Sequence, residues 1–174
     1  IKMYRNSFLN NWGAASYGLL LKEIYDAEIN DNVFMENTVG INVEGSSRIK
    51  YHRNQFLKNG WAVKNEGACY LNTFTYNNFI SNSFDVSYNI QINNNSFDNN
   101  YWGKYTGYDL NKDGVGDVPY RPVKLFSYIV NKSPEAIVLL RSLFVFLINF
   151  SEKVSPGFIP HELVDAHPFM YEVK

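Results

Sequence analysis

The sequence predicts an all-β chain, a right-handed parallel β-helix with coils of about 22 residues, followed by a C-terminal α-helical appendage. Three observations carry that reading. An Asn/Phe pattern returns at nearly constant spacing, a second register of short apolar segments returns at the same interval, and the composition changes abruptly beyond Pro119.

The pattern N-x-F-x-x-N is traced through Asn6, Phe8 and Asn11; Asn32, Phe34 and Asn37; Asn54, Phe56 and Asn59; Asn77, Phe79 and Asn82; and Asn95, Phe97 and Asn100. Its first Asn advances by 26, 22, 23 and 18 residues (32−6, 54−32, 77−54, 95−77). The second register is Gly18-Leu19-Leu20-Leu21, Gly40-Ile41-Asn42-Val43 and Ala62-Val63-Lys64, at 22 and 22 (40−18, 62−40). A coil of that length holds three strands of a few residues joined by tight turns. Coils stack at the spacing of hydrogen-bonded strands, about 4.8 Å, so equivalent side chains lie above one another. Asn can then donate to one neighbour and accept from the other, forming a ladder. Asn also tolerates the left-handed backbone of a tight corner, and Phe fills a column of near-identical rings. These repeated residues are therefore expected to be structural.

The first step of 26 places an insertion near Trp12-Gly13-Ala14-Ala15-Ser16, read as a bulging loop on one face. The last step of 18 reads as a shortened final coil, with the array ending near residue 102. The divisions are coils over 1–102, an acidic loop and cap connection over 103–132, and a helical tail over 133–174. The chain opens directly in pattern, which reads as a fragment or processed form lacking N-terminal coils. Sixteen Lys and Arg against 17 Asp and Glu give a net charge of −1, which offers no electrostatic case for nucleic acid. The single cysteine, Cys69, excludes an internal disulfide and a Cys-based zinc site.

Beyond the coils, Asp109, Asn111 and Asp113 alternate and Gly114 follows, the opening of a calcium loop, with Val115 offering its carbonyl and Asp117 acting directly or through water. The twelfth position of such a loop is Tyr120 rather than Glu. The other reading is an Asx-rich turn that satisfies its own backbone.

Ser133-Pro134-Glu135 reads as a helix start, with Ser as cap and Pro in the first turn. One helix is expected over 136–154, ended by Pro156-Gly157, with a short second helix from Pro160. Arg141, Asn149 and Glu152 form its narrow polar stripe. One apolar side is expected to cover the coils. Leu139, Leu140, Leu143, Phe144, Phe146, Leu147 and Phe150 supply a surface for a partner, unless the tail buries it within this domain. The apolar run is too interrupted for a membrane span.

The sequence holds no nucleophile motif, phosphate loop or Cys-His pair. His161 and His167, with Met170, are candidate copper ligands, set against ordinary surface and packing roles. A polysaccharide-processing or carbohydrate-binding β-helix is the runner-up. Glu23, Asp26, Glu44, Asp85 and Asp98 are available carboxylates but share no repeat register, and Trp12, Trp61 and Tyr88 could stack on sugars.

Together the coils, the junction from Asn100-Tyr101-Trp102 through Thr106-Gly107-Tyr108-Asp109 to Val118-Pro119-Tyr120-Arg121, and the tail with Leu140-Arg141-Ser142 and His167-Pro168-Phe169-Met170 resemble the NosD family. The resemblance implies an exported, periplasmic, copper-binding β-helix protein without catalytic activity. It implies an ABC transporter permease and ATPase as partners, peripheral membrane contact through the permease, and copper delivery through a chaperone in the maturation of nitrous oxide reductase.

Overall fold

Stacking of short strands, rather than their length, builds this chain. A computed structural model describes residues 1–87, 94–140, 142–154 and 163–174, with the backbone alone for Asn149 and residues 152–154. The coil strands are β1 (Lys2–Tyr4), β2 (Ser7–Leu9), β3 (Tyr17–Lys22), β4 (Glu28–Asn30), β5 (Val33–Met35), β6 (Val39–Glu44), β7 (Lys50–His52), β8 (Gln55–Leu57), β9 (Trp61–Glu66), β10 (Thr73–Thr75), β11 (Asn78–Ile80), β12 (Phe84–Ser87), β13 (Ser96–Asp98) and β14 (Tyr101–Trp102). They form three sheets in the orders β1-β4-β7-β10-β13, β2-β5-β8-β11-β14 and β3-β6-β9-β12, with every neighbouring pair parallel. This is the parallel β-helix that the repeat predicts. The second register also holds, with Leu19, Ile41 and Val63 paired across β3, β6 and β9.

Two columns of rings fill the core. Phe8, Phe34, Phe56, Phe79 and Trp102 stack at centroid separations of 4.9, 5.2, 4.8 and 4.2 Å. Tyr51, Phe74 and Phe97 stack at 4.3 and 4.8 Å. Each fully buried Phe contributes on the order of 2–3 kcal/mol through the area it removes from water. Gly40 lies on the inner path because a Cβ there would stand 2.6 Å from the carbonyl oxygen of Ala62.

The asparagines form directional ladders. Nδ2 of Asn32 donates to Oδ1 of Asn54 at 3.1 Å, Asn54 to Asn77 at 3.0 Å, and Asn77 to Asn100 at 3.0 Å. A second ladder runs from Asn11 through Asn37 and Asn59 to Asn82, at 2.8, 3.0 and 3.0 Å. The same Nδ2 groups also donate to main-chain carbonyls, as Asn54 does to Ile29 and Asn77 to Tyr51. The left-handed corners do not fall on the ladder residues, contrary to expectation. They fall one position earlier, at Arg5, Asp31, Arg53, Tyr76 and Asn99 and at Asn10, Glu36, Lys58 and Ser81. Each such residue costs about 1–2 kcal/mol relative to ordinary backbone. The following Asn offsets that cost by satisfying the carbonyls that the sharp turn exposes.

The shortened final coil is also corrected. Asn95 does not stack on Asn77; its Oδ1 accepts the main-chain N–H of Asn72 at 2.7 Å, while Asn100 stacks on Asn77. Asn72, Phe74 and Asn77 repeat the same motif one corner earlier, so the true steps are 23 and 23 (95−72, 100−77). The long first step is confirmed as an insertion: seven residues separate β2 from β3, against three between β5 and β6.

Charge alternates from coil to coil. Residues 1–22 carry Lys2, Arg5 and Lys22 and no acid; residues 23–44 carry Glu23, Asp26, Glu28, Asp31, Glu36 and Glu44 and no Lys or Arg; residues 45–66 carry Arg48, Lys50, Arg53, Lys58 and Lys64 against Glu66 alone. Stacking converts that sequence order into ion pairs. Lys2–Glu28 lies at 3.2 Å, Lys22–Glu44 at 3.0 Å, Arg48–Asp26 at 2.7 Å, Arg53–Asp31 at 3.1 Å and Lys58–Glu36 at 3.6 Å. All are solvent-exposed, so each contributes little alone. Together they oppose any one-coil slip.

The helical part departs from the expected single helix. It begins at α1 (Leu125–Lys132), continues as a 3-10 helix (Pro134–Leu139) and ends in α2 (Leu143–Val154). Ser133 terminates α1 and makes no side-chain cap for the 3-10 segment. The expected second helix does not extend over Leu163–Asp165, where Asp165 forms a bridge with Tyr120. Pro156-Gly157 and the start at Pro160 lie outside the described residues, as does Arg141 of the polar stripe; the side chains of Asn149 and Glu152 are likewise not described.

Candidate functional site

The strongest candidate surface is the flank of the third sheet, where the helices dock. Val39, Trp61 and Phe84 stand in register on β6, β9 and β12 and pack with Phe126 and Val130 of α1 and Val145 of α2. Trp61 and Phe84 stack at 4.2 Å, and Phe126 meets Phe84 at 6.1 Å. Trp61 is therefore a packing residue beneath the helices, not an exposed sugar platform.

Packing divides the apolar residues of the appendage into two sets. Val145 is buried, and Leu140 and Ile148 are partly buried against the same cluster. Leu143, Phe144, Phe146, Leu147 and Phe150 are exposed at 72, 51, 66, 54 and 58 %. Leu139 is exposed at 40 % and its neighbour Val138 at 86 %. Among the residues expected to meet a partner, Leu140 thus turns inward and the others face outward. Large apolar side chains concentrated on one helix mark an interaction surface more often than singly scattered ones. No described helix is long and apolar enough to cross a membrane.

A buried charge sits at the root of this flank. Asp85 accepts from Nδ2 of Asn82 at 3.4 Å and stands 3.6 Å from Nζ of Lys104. Lys104 also donates to the carbonyls of Asn82 and Ser83, at 2.6 and 3.0 Å. Burial pushes the Asp85 carboxyl above the usual range, outweighing the attraction of Lys104. Asp85 is thus a structural carboxylate between the last long coil and the junction.

The acidic loop is compact and internally bonded. Asp109 accepts the main-chain N–H groups of Asp113 and Gly114, at 3.2 and 2.9 Å. Asn111 accepts from Asp113 at 3.2 Å and donates to its carboxylate at 2.9 Å, Asp113 accepts from Val115 at 2.8 Å, and Asp117 accepts from Leu110 at 2.7 Å. Those are the bonds of an Asx-rich turn. Val115 bridges to Phe169, which joins the loop to the tail. Gly107 and Gly116 leave room for the Tyr105 ring, whose hydroxyl donates to the carbonyl of Val118 at 2.6 Å.

The tail seals the coil end. Oδ2 of Asp165, which is fully buried, accepts the main-chain N–H and Nδ2 of Asn100 at 3.0 and 3.0 Å and Nε1 of Trp102 at 2.9 Å. Further along, Phe169 bonds to Asn100, and Val173 and Lys174 reach Asn78 and Arg53. Sequence reasoning missed Asp165. The available signal was a lone acid in an otherwise apolar stretch, Leu163-Val164-Asp165-Ala166.

The copper candidates are not assembled into one ligand set. Nδ1 of His167 lies 2.7 Å from Asp98, Met170 bonds to Gly114 through its main chain, and His161 lies outside the described residues. Cys69 is buried, its thiol donates to the carbonyls of Val43 and Glu66 at 3.4 and 3.2 Å, and burial pushes that thiol up. Among the described residues, no group of three or more His, Cys, Asp or Glu is arranged to hold a metal.

The outer carboxylates are likewise engaged. Glu44 and Glu66 stack in a groove of about 430 Å³ with Lys22, Glu23, Gly45 and Gly67. Lys22 and Lys64 hold them at 3.0 and 2.6 Å. Asp26 and Asp98 are paired with Arg48 and His167. Trp12 is exposed on the inserted loop, and Tyr88 lies outside the described residues.

Comparison with known proteins places the coils. The family model described as "Periplasmic copper-binding protein (NosD)" matches residues 1–107. A protein of Stutzerimonas stutzeri named "Probable ABC transporter binding protein NosD" is 27 % identical over 120 residues, covering 67 % of this chain and 28 % of its own length. A protein of Pseudomonas aeruginosa with the same name is 32 % identical over 71 residues, covering 41 % of this chain and 17 % of its own length. The chain therefore spans less than a third of the length of these curated relatives, whose names describe a binding protein and not an enzyme. Since the family model covers the coils and the start of the junction, more than half of the residues, the chain belongs to the NosD family, described as periplasmic and copper-binding.

Proposed function

We propose that this chain is the coil-and-helix part of a periplasmic, non-catalytic accessory of an ABC transporter, acting in copper delivery to nitrous oxide reductase during its maturation. The coils serve as a rigid platform for soluble partners such as a copper chaperone. The helical flank docks on the transporter permease and makes the peripheral contact with the membrane. Copper is the cargo of this assembly, and the described residues provide no clustered ligand set for it.

The observation that carries the reading is the exposed row Leu143, Phe144, Phe146, Leu147 and Phe150, on a helix already anchored by Val145. A membrane-embedded partner offers an apolar groove for such a helix. The names of the relatives supply the class of partner.

The test is capture of the detergent-solubilised permease–ATPase complex by the full chain and by the variant Leu143→Ser, Phe146→Ser, Phe150→Ser. Truncation is the poorer choice, because removing 133–174 also removes the Asp165 seal. Capture by the native chain and its loss in a variant of unchanged melting temperature supports docking through α2. Equal capture by both, or by neither, contradicts it.

A further inference from the structure

Two stripes run along the outer side of α2. Positions three and four apart share a helix face, so Leu143, Phe146 and Phe150 form one stripe and Phe144, Leu147 and Ser151 the other. Val145 and Ile148 lie on the opposite side, against the third sheet. Both stripes are exposed, and the large side chains in them are all apolar. A groove reads one such stripe of a helix, so docking on the permease through Leu143, Phe146 and Phe150 leaves Phe144 and Leu147 to meet something else. The 3-10 segment extends the second surface with Val138, the most exposed large apolar residue described.

The polar groups of this stretch are closed on the helix itself. Oγ of Ser151 is exposed, yet it donates to the carbonyl of Ile148 at 2.8 Å. Oγ of Ser142 accepts the main-chain N–H of Val145 at 3.4 Å, one of the donors that a first helical turn leaves free. In hydrocarbon every polar group must find its partner within the segment, and serine meets that demand by bonding to its own helix. Among the described side chains of 136–151 none is charged. A cation and a ring mark the rim instead. Nζ of Lys132, at the end of α1, stands 4.7 Å from the ring centroid of the half-exposed Tyr128. Such a pair suits the boundary between acyl chains and headgroups, with the ring body in the apolar layer and the ammonium in water.

We infer that Phe144 and Leu147, with Val138, form a lipid-binding surface that enters the acyl layer of the adjacent membrane leaflet. The inference rests on the proposed docking, which brings α2 to the membrane, and divides its exposed row between protein and lipid. The 12 residues of α2 span about 18 Å, short of the hydrocarbon core of about 30 Å, so the helix lies in the plane of the surface. Burial of apolar area drives the insertion, and no anionic headgroup is required.

Flotation of the full chain with phosphatidylcholine vesicles, free of permease, tests this surface. The chain is expected to float with the vesicles at low and at high salt. The variant Val138→Ser, Phe144→Ser, Leu147→Ser is expected to keep its melting temperature and its capture of the detergent-solubilised permease–ATPase complex, while its partition into vesicles falls roughly tenfold or more. Leu147→Trp is expected to add emission that shifts to the blue on mixing with vesicles and is quenched by brominated acyl chains. Leu110→Trp, at an exposed position of the junction loop, is expected to show neither effect. A chain that stays out of the vesicles yet is captured by the complex seats both stripes in protein, which overturns the inference and leaves the docking intact. Flotation without capture keeps the lipid surface and overturns the docking. Flotation unchanged in the triple variant, or binding that needs anionic lipid and vanishes in high salt, overturns the inference as well.

Discussion

The carboxylate of Asp165 occupies the sixth rung of a ladder that begins at Asn6, 3.0 Å from Nδ2 of Asn100. An asparagine at that rung would need an acceptor for its own amide. A carboxylate accepts and asks for nothing further, so it closes the series.

Replacing Asp165 by Ala removes the acceptor of the Asn100 main-chain N–H and of Nε1 of Trp102, while Nδ2 of Asn100 keeps the carbonyls of Phe74 and Asp98. Chemical denaturation is expected to show a loss of about 2–4 kcal/mol. Asp165→Asn keeps an acceptor but adds a donor, and is expected to lose about 1 kcal/mol.

Position along the ladder sets the cost of a missing rung. Asn77→Ala removes a buried group that bonds to Asn54, Asn100 and Tyr51. Its expected cost is about 2–4 kcal/mol, against less than about 1 kcal/mol for Asn6→Ala at the solvated edge. Equal costs at the two positions would show that the ladder is not what holds the coils in register.

On α2 two neighbours should behave oppositely. Val145→Ala opens space against Trp61 and Phe126 and is expected to cost about 1–3 kcal/mol. Phe146→Ser is expected to leave stability within about 0.5 kcal/mol while reducing capture of the transporter. Thermal melts and the capture assay on the same two variants separate packing from docking.

The pH profile contains two opposing contributions. Hydrogen bonding to Arg48 holds Asp26 below the usual carboxylate range, and hydrogen bonds from Tyr4 and Lys2 do the same for Glu28. Their stabilisation is present above the unfolded values, about 4, and is lost as pH falls through the lower folded values. Asp85 runs the other way, because its folded value is raised: its contribution is present in acid and lost as pH rises through that value. Asp85→Asn should abolish the decline on the higher side, and Asp26→Asn should soften the acid decline, both read from melting temperature against pH.

For the loop 109–117, the Asx-turn geometry predicts that chelation leaves the melting temperature unchanged. A rise on adding millimolar calcium, lost in Asp109→Asn, would assign the loop to the ion instead.

The fold was legible because β-helix coils repeat the same solution, so Phe8, Phe34, Phe56 and Phe79 announce one column. What misled was the motif's occurrence at two corners. Asn95 and Asn77 look alike in sequence but belong to different sheets, and only the pairing of β10 with β13 separates them. The left-handed corners were misassigned because Arg5, Asp31 and Arg53 carry no sign of that backbone in their side chains. The alternation of charge was visible to a reader who writes residues 1–66 in lines of 22. Of the docking helix, the apolar residues were legible and their orientation was not. Whether Leu140 or Leu143 faces inward depends on the break between the 3-10 segment and α2.

Alternating charge also constrains how such a chain can lengthen or shorten by recombination. Deleting residues 23–44 keeps every strand in phase yet brings Lys2 against Lys50 and Arg5 against Arg53. Deleting residues 23–66 instead sets Lys2 against the uncharged Thr73 and removes that repulsion. The alternation thus makes the loss of one coil from this region costlier than the loss of two together.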